Sequence, residues 1–164
     1  MSQRIVIDSL AFARDGGLLK GELPVASLTR VLDLLAGSAG SLSYHVLGQV
    51  GSRNRPQLVL ELDGVLSVCC QRCLEGIDYP VRIRSLLELV DDEEELTQEE
   101  FEDDSKDFLS AQKELDVVEL IEDEVILDLP PAPRHENCTL PEAGRQSEGV
   151  SPFSVLKSLK GKVR

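Results

Sequence analysis

Between Leu42 and Val90 apolar and polar residues alternate with a period of two, and this alternation limits the fold more strongly than anything else in the chain. Tyr44, Val46, Gly48 and Val50 interleave with His45, Leu47 and Gln49, and Leu58, Leu60 and Leu62 interleave with Val59, Glu61 and Asp63. Arg53-Asn54-Arg55-Pro56 forms a loop between the two runs. Gly64 is a candidate bulge, beyond which Val65 to Cys69 continues the second strand. After the short link Leu74-Glu75-Gly76, Tyr79 to Val90 gives a third strand with Arg82 and Arg84 on one face. Links this short permit only antiparallel pairing. The expected centre is a curved antiparallel sheet, with partial closure into a barrel as the extreme of that curvature.

The flanks predict helices, which makes the fold class α+β. Pro24 suits a first helical turn, and Val25, Leu28, Val31, Leu32 and Leu35 fall on one stripe that Gly37 can end. Ile5-Val6-Ile7 reads as a short strand before the Gly16-Gly17 turn. A second helix is predicted from Asp116 to Leu129: Asp116 caps it with Glu119 three residues on, Val117, Leu120, Ile121, Val125 and Leu127 supply its buried side, and Pro130-Pro131 stops it. Both helices are expected to pack on the sheet. Residues 91–114 are dense in charge and poor in large apolar groups, and are expected to be a mobile acidic excursion. Residues 139–164 read as a polar linker followed by a short basic helix, started by Ser151-Pro152 and carrying Phe153, Leu156 and Leu159 on one side. At 164 residues, the chain has material for one core, so residues 1–164 are expected to be a single domain with appendages.

The formal net charge of −13 is unevenly placed. Residues 88–124 hold 18 acids against two lysines, whereas the rest has 15 bases against 12 acids. The body of the protein is therefore mildly basic, and its overall acidity does not exclude a nucleic-acid partner. No run of 18 apolar residues and no charged-then-apolar leader is visible, so the expected location is the cytoplasm, with no membrane association. In a reducing compartment four cysteines point to thiols or metal ligands before disulfides.

Cys70-Gln71-Arg72-Cys73 follows a strand, and His135-Glu136-Asn137-Cys138 lies about 60 residues later. Three thiolates and one imidazole are the donor set of a closed, structural zinc site, which makes Cys70, Cys73, His135 and Cys138 the candidate metal ligands and Zn²⁺ the candidate cofactor. The alternative is that these are small residues packed in turns. Cys69 is expected on the opposite strand face and buried, replacing a ligand only if the turn starts one residue earlier. A redox reading of the C-x-x-C would need it at a helix N-terminus, and here strands lie on both sides. Arg53, Arg55, Arg72, Arg82 and Arg84 are candidate nucleic-acid contacts through phosphate, and the competing reading is a solvated sheet face whose arginines meet acids. With no Trp and only Tyr44 and Tyr79 as tyrosines, a stacking platform for single strands is missing. No Ser-His-Asp arrangement, P-loop or dinucleotide fingerprint occurs, so no catalytic residue is assigned and the chain is expected not to be an enzyme.

Cys70-Gln-Arg-Cys73-Leu-Glu, the acidic segment, Val118-Glu-Leu-Ile-Glu-Asp-Glu-Val-Ile-Leu-Asp-Leu-Pro130, Pro133-Arg-His135 with Cys138, and Pro152-Phe-Ser-Val-Leu-Lys-Ser-Leu-Lys160 occur in one order. Together they resemble the YceD family of bacterial large ribosomal RNA subunit accumulation proteins, over roughly residues 58 to 162. The resemblance implies a cytosolic ribosome-biogenesis factor that supports synthesis, processing or stability of 23S ribosomal RNA, with metal and nucleic acid as its ligands. Its expected partners are ribosomal RNA or a large-subunit precursor. The alternative is an acidic adaptor or chaperone for a basic ribosomal protein or a processing factor, making no RNA contact itself.

Overall fold

The computed structural model describes residues 4–91, 97 and 107–139. Within them the chain runs β1 (Val6–Ile7), α1 (Ser9–Arg14), β2 (Leu18–Pro24), β3 (Ser41–Val50), β4 (Pro56–Cys69), β5 (Gly76–Val90), β6 (Asp107–Ser110), β7 (Leu115–Asp116) and α2 (Val117–Asp128). The period-two stretch forms the centre as expected: β3, β4 and β5 are consecutive antiparallel neighbours in a sheet ordered β2-β3-β4-β5-β6. β1 and β7 form a separate antiparallel pair.

The pleat sorts the side chains. Leu42, Tyr44 and Val46 of β3 and Leu58, Leu60, Leu62, Leu66 and Val68 of β4 all point inward and are buried, with Leu60 opposite Val46 on one side and Ser85 on the other. Helices cover this inner face. α2 is anchored where Ser85 of β5 hydrogen-bonds Glu124, and Gly48 admits α1, since a Cβ there would lie 2.2 Å from the Phe12 carbonyl oxygen. The opposite face of the sheet has no helix over it among the described residues, which is the ordinary state of an antiparallel sheet with alternating strands.

Several expectations are corrected. The sheet is open, with β2 and β6 at its edges, and does not close into a barrel. Gly64 is not a bulge, because the register on both sides of it is unbroken: it faces Leu42 on β3 and Val81 on β5. Its lack of a side chain lets Leu42 approach to where a Cβ would be 2.5 Å from Leu42 Cδ2. The helix expected from Pro24 is absent. Val25–Ser27 and Leu32–Leu34 are single 3₁₀ turns, held by Leu28 N–H to the Val25 carbonyl and Leu35 N–H to the Leu32 carbonyl. Val25, Leu28 and Val31 are still buried, because a spacing of three satisfies a three-residue turn as well as an α-helix. A bridge from Leu35 to Val68 ties the segment to β4.

The helix on the N-terminal side is instead α1, capped by the Asp8 side chain accepting from Ala11 N–H. β2 has no counterpart among the expected strands, because its sequence Leu-Leu-Lys-Gly-Glu-Leu-Pro alternates too weakly to announce it. Most of the expected acidic excursion, residues 92–96 and 98–106, lies outside the described residues, as do the expected linker and basic helix from residue 140 onward. Asp107–Ser110, at the end of that excursion, pairs with β5 in the parallel sense, so the sheet is not wholly antiparallel.

α2 matches its prediction closely. Asp116 accepts from Val118 N–H at 2.9 Å, and Leu129 terminates the helix before Pro130. Val117, Leu120, Ile121 and Val125 are buried, but Leu127 is 80% exposed and Val118 is buried in its stead. Glu122 is buried and accepts the Arg30 backbone N–H at 2.9 Å. No helix among the described residues is long and apolar enough to cross a membrane.

Candidate metal centre

The β4–β5 hairpin ends in a tight reversal. Cys69 is the last residue of β4, opposite Gly76, and beyond it Cys70 N–H donates to the Glu75 carbonyl at 2.8 Å while Leu74 N–H donates to the Cys70 carbonyl at 2.9 Å. Leu74 takes a positive φ of 66° to close the loop. The turn contains no helix, so the Cys70-x-x-Cys73 thiols lack the helix N-terminus that a redox C-x-x-C employs.

The second motif is carried to this turn by α2. Tyr79 O–H donates to Asp128 at the helix end, and Leu129, extended ahead of Pro130-Pro131, ends the helix so that the following segment reaches the β4–β5 turn. There the segment is docked by its backbone: Gln71 N–H donates to the Pro133 carbonyl at 2.8 Å, and Arg72 Nη1 donates to the Cys138 carbonyl at 3.0 Å. Neither contact was legible in the sequence, because both acceptors are main-chain oxygens.

Docking brings four ligand atoms together. One donor atom each from Cys70, Cys73, His135 and Cys138 lies within 4.8 Å of every other. Cys70 Sγ and Cys138 Sγ are 3.7 Å apart, and Cys73 Sγ is 3.3 Å from His135 Nδ1. A tetrahedron with zinc–sulfur bonds of about 2.3 Å and a zinc–nitrogen bond of about 2.0–2.1 Å has edges of about 3.8 and about 3.6 Å. The two edges seen here, 3.7 and 3.3 Å, come close to these values. His135 Nε2 lies 3.2 Å from the Gly76 carbonyl; with Nδ1 as ligand, Nε2–H is the donor in that bond and fixes both tautomer and ring orientation.

Cysteine electrostatics fit a cation. Burial pushes the Cys70 thiol upward, but hydrogen bonds from the Cys73, His135 and Arg72 backbones and the Cys73 side chain prevail and bring its pKa from 9.0 down to about 5. One of these is Arg72 N–H to Cys70 Sγ at 3.4 Å. The Cys138 thiol is pushed up, first by burial and then by its hydrogen bonds and repulsion with the sulfurs of Cys70 and Cys73. A thiol whose ionisation is opposed by two neighbouring sulfurs is relieved by a divalent cation placed among them. Cys69 stands apart: it is half-buried, where burial was expected, and its Sγ faces the Leu74 carbonyl at 3.7 Å.

The five candidate arginines are distributed over the β3–β4 loop, β5 and the metal-centre turn. Arg82 and Arg84 lie side by side on the outer face of β5, but Arg84 is 3.3 Å from Glu61 and Arg82 is 3.8 Å from Asp63, their partners across the strand. Arg55, at the opposite end of the sheet, is paired with Glu88 at 3.3 Å and lies over the Phe108 ring. Arg53 sits in the β3–β4 loop with φ of 59°, and Arg72 belongs to the metal-centre turn. The acid-partnered sheet face is the arrangement found for Arg55, Arg82 and Arg84. His45, exposed between Lys20 and Glu61 on neighbouring strands, takes no part in the cluster.

The site's two halves fall inside one region of known relationship. The model of the family described as large ribosomal RNA subunit accumulation protein YceD matches residues 58–160. No curated protein and no solved structure matches the chain.

Proposed function

The chain belongs to the YceD family, and on that premise we propose that it is a non-enzymatic cytoplasmic ribosome-biogenesis factor supporting synthesis, processing or stability of 23S ribosomal RNA through a large-subunit precursor or the RNA itself. The family match over 103 of 164 residues carries the reading, since it spans most of β4, all of β5 and α2, and both halves of the metal centre. Zn²⁺ is the ion that three cysteines and one histidine select; bound there it supplies a structural cross-link with no open position for substrate. Cys70 and Cys73 would hold it from the sheet, His135 and Cys138 from the segment after α2. The ion pair partners of Arg82 and Arg84 can be exchanged for phosphates at the surface, where such pairs are weak.

The test is recovery of tagged protein with precursor particles, by sedimentation and RNA sequencing, at graded salt. Enrichment of 23S precursor, falling with salt and lost in the Arg82→Ala, Arg84→Ala double variant, supports direct RNA contact. A second reading is favoured by the acid pairing of Arg55, Arg82 and Arg84 and by the carboxylates concentrated on α2: an acidic adaptor for a basic ribosomal protein or processing factor. It predicts precursor enrichment that survives removal of both arginines, and co-purification of a basic protein that persists after RNase treatment.

A further inference from the structure

α2 and the β5–β6 edge enclose a groove of about 530 Å³. Its walls are acidic and apolar together: Asp107 and Leu109 come from β6, and Asp123, Glu124, Leu127 and Asp128 from α2. Arg30 pairs with Asp123, Ser85 hydrogen-bonds Glu124, and Tyr79 hydrogen-bonds Asp128. Four carboxylates against one guanidinium leave a net −3. Beside them Leu127, in register with the apolar side of α2, is 80% exposed, more than any other large apolar residue among the described residues. An apolar side chain left on the rim of an acidic groove suits a basic amphipathic helix.

We propose that this groove is the docking site of the chain's own C-terminal segment, residues 151–164. Ser-Pro-Phe-Ser-Val-Leu-Lys-Ser-Leu-Lys-Gly-Lys-Val-Arg has four basic residues, Lys157, Lys160, Lys162 and Arg164, and no acid, giving +4 against the groove's −3. Phe153, Leu156 and Leu159 recur every three residues, so a helix there has an apolar side to lay on Leu127 and Leu109, with its lysines toward the carboxylates.

The tether is long enough. His135 fixes the start of the segment beside Gly76, and Ile83 of the groove lies seven residues along β5, about 23 Å away at about 3.3 Å per residue. The 13 links from Thr139 to Pro152 can span up to about 45 Å. The inference rests on the groove and the tail, and stands whether or not the four-ligand site holds zinc.

The test places the photocrosslinker p-benzoylphenylalanine at position 153 of the full-length chain and maps crosslinked peptides by mass spectrometry. The expected result is intramolecular crosslinks to residues 107–109 and 120–128, in a yield independent of protein concentration. The yield should fall at least about five-fold in Leu127→Arg, which places a like charge against the tail at a solvent-exposed position. Crosslinks on the outer face of the sheet, or none within the protein, would overturn the proposal. So would crosslinks between two copies that grow with concentration, which would assign the groove to a second molecule. The unmutated-groove map decides these cases even if Leu127→Arg perturbs folding.

Discussion

With zinc bound by Cys70, Cys73, His135 and Cys138, its removal should undock the segment 133–138 while leaving the sheet folded. Three hydrogen bonds hold that segment to the hairpin: Gln71 N–H to Pro133, Arg72 to Cys138, and His135 to Gly76. At a net contribution of about 1 kcal/mol each, they supply about 3 kcal/mol. Ordering the backbone of six residues costs about 6–12 kcal/mol. The deficit of at least about 3 kcal/mol is within reach of a structural zinc site, whose apparent binding free energy is about 10–16 kcal/mol and already includes the ordering of its ligands. Hydrogen exchange reads this directly at the Gln71 amide, which is protected only while Pro133 is docked. Stripping the zinc-loaded protein with chelator should speed Gln71 exchange by roughly two orders of magnitude or more, as should Cys73→Ser. Amides of Leu60 and Leu62, in mid-sheet, should keep their protection. A Gln71 amide equally slow with and without metal would refute the argument, since the hydrogen bonds would then suffice alone.

Other outcomes follow from the same geometry. In metal-free protein, the depressed Cys70 pKa stabilises the fold fully above about pH 9, its unfolded value, and that contribution is lost as pH falls toward about 5; denaturation midpoints of Cys70→Ser should therefore lose this slope. Zinc titration at pH 7 should release the proton held by Cys138, measurable in weakly buffered solution. Leu60→Ala, at a fully buried mid-strand position, should destabilise by about 2–5 kcal/mol in chemical denaturation, because the surrounding core relaxes only partly into the void. Glu122→Ala should cost about 1–3 kcal/mol by leaving the Arg30 amide without its acceptor, and Glu122→Gln should recover much of that.

The central sheet was legible because period-two patterning, once one face is buried, fixes which residues point inward; Leu58, Leu60 and Leu62 could not shift register without exposing themselves. α2 was legible from its cap and its Pro stop. The 25–35 stretch misled because a spacing of three does not distinguish a 3₁₀ turn from an α-helix, and Leu127 misled because its stripe position says nothing about whether a neighbouring element reaches that far. The parallel pairing of β6 could not be read at all, since four residues with two apolar side chains carry no period.

The sequence by itself determined the donor types of the candidate metal centre, the family, and the antiparallel core, since these depend on residue chemistry and local periodicity. Only tertiary structure decided that Cys70 and Cys138, 68 positions apart, stand 3.7 Å from each other, that Cys69 is excluded, and that Arg55, Arg82 and Arg84 face acids. Those outcomes turn on strand register and on backbone carbonyls at Pro133, Cys138 and Gly76, whose positions no side-chain pattern encodes.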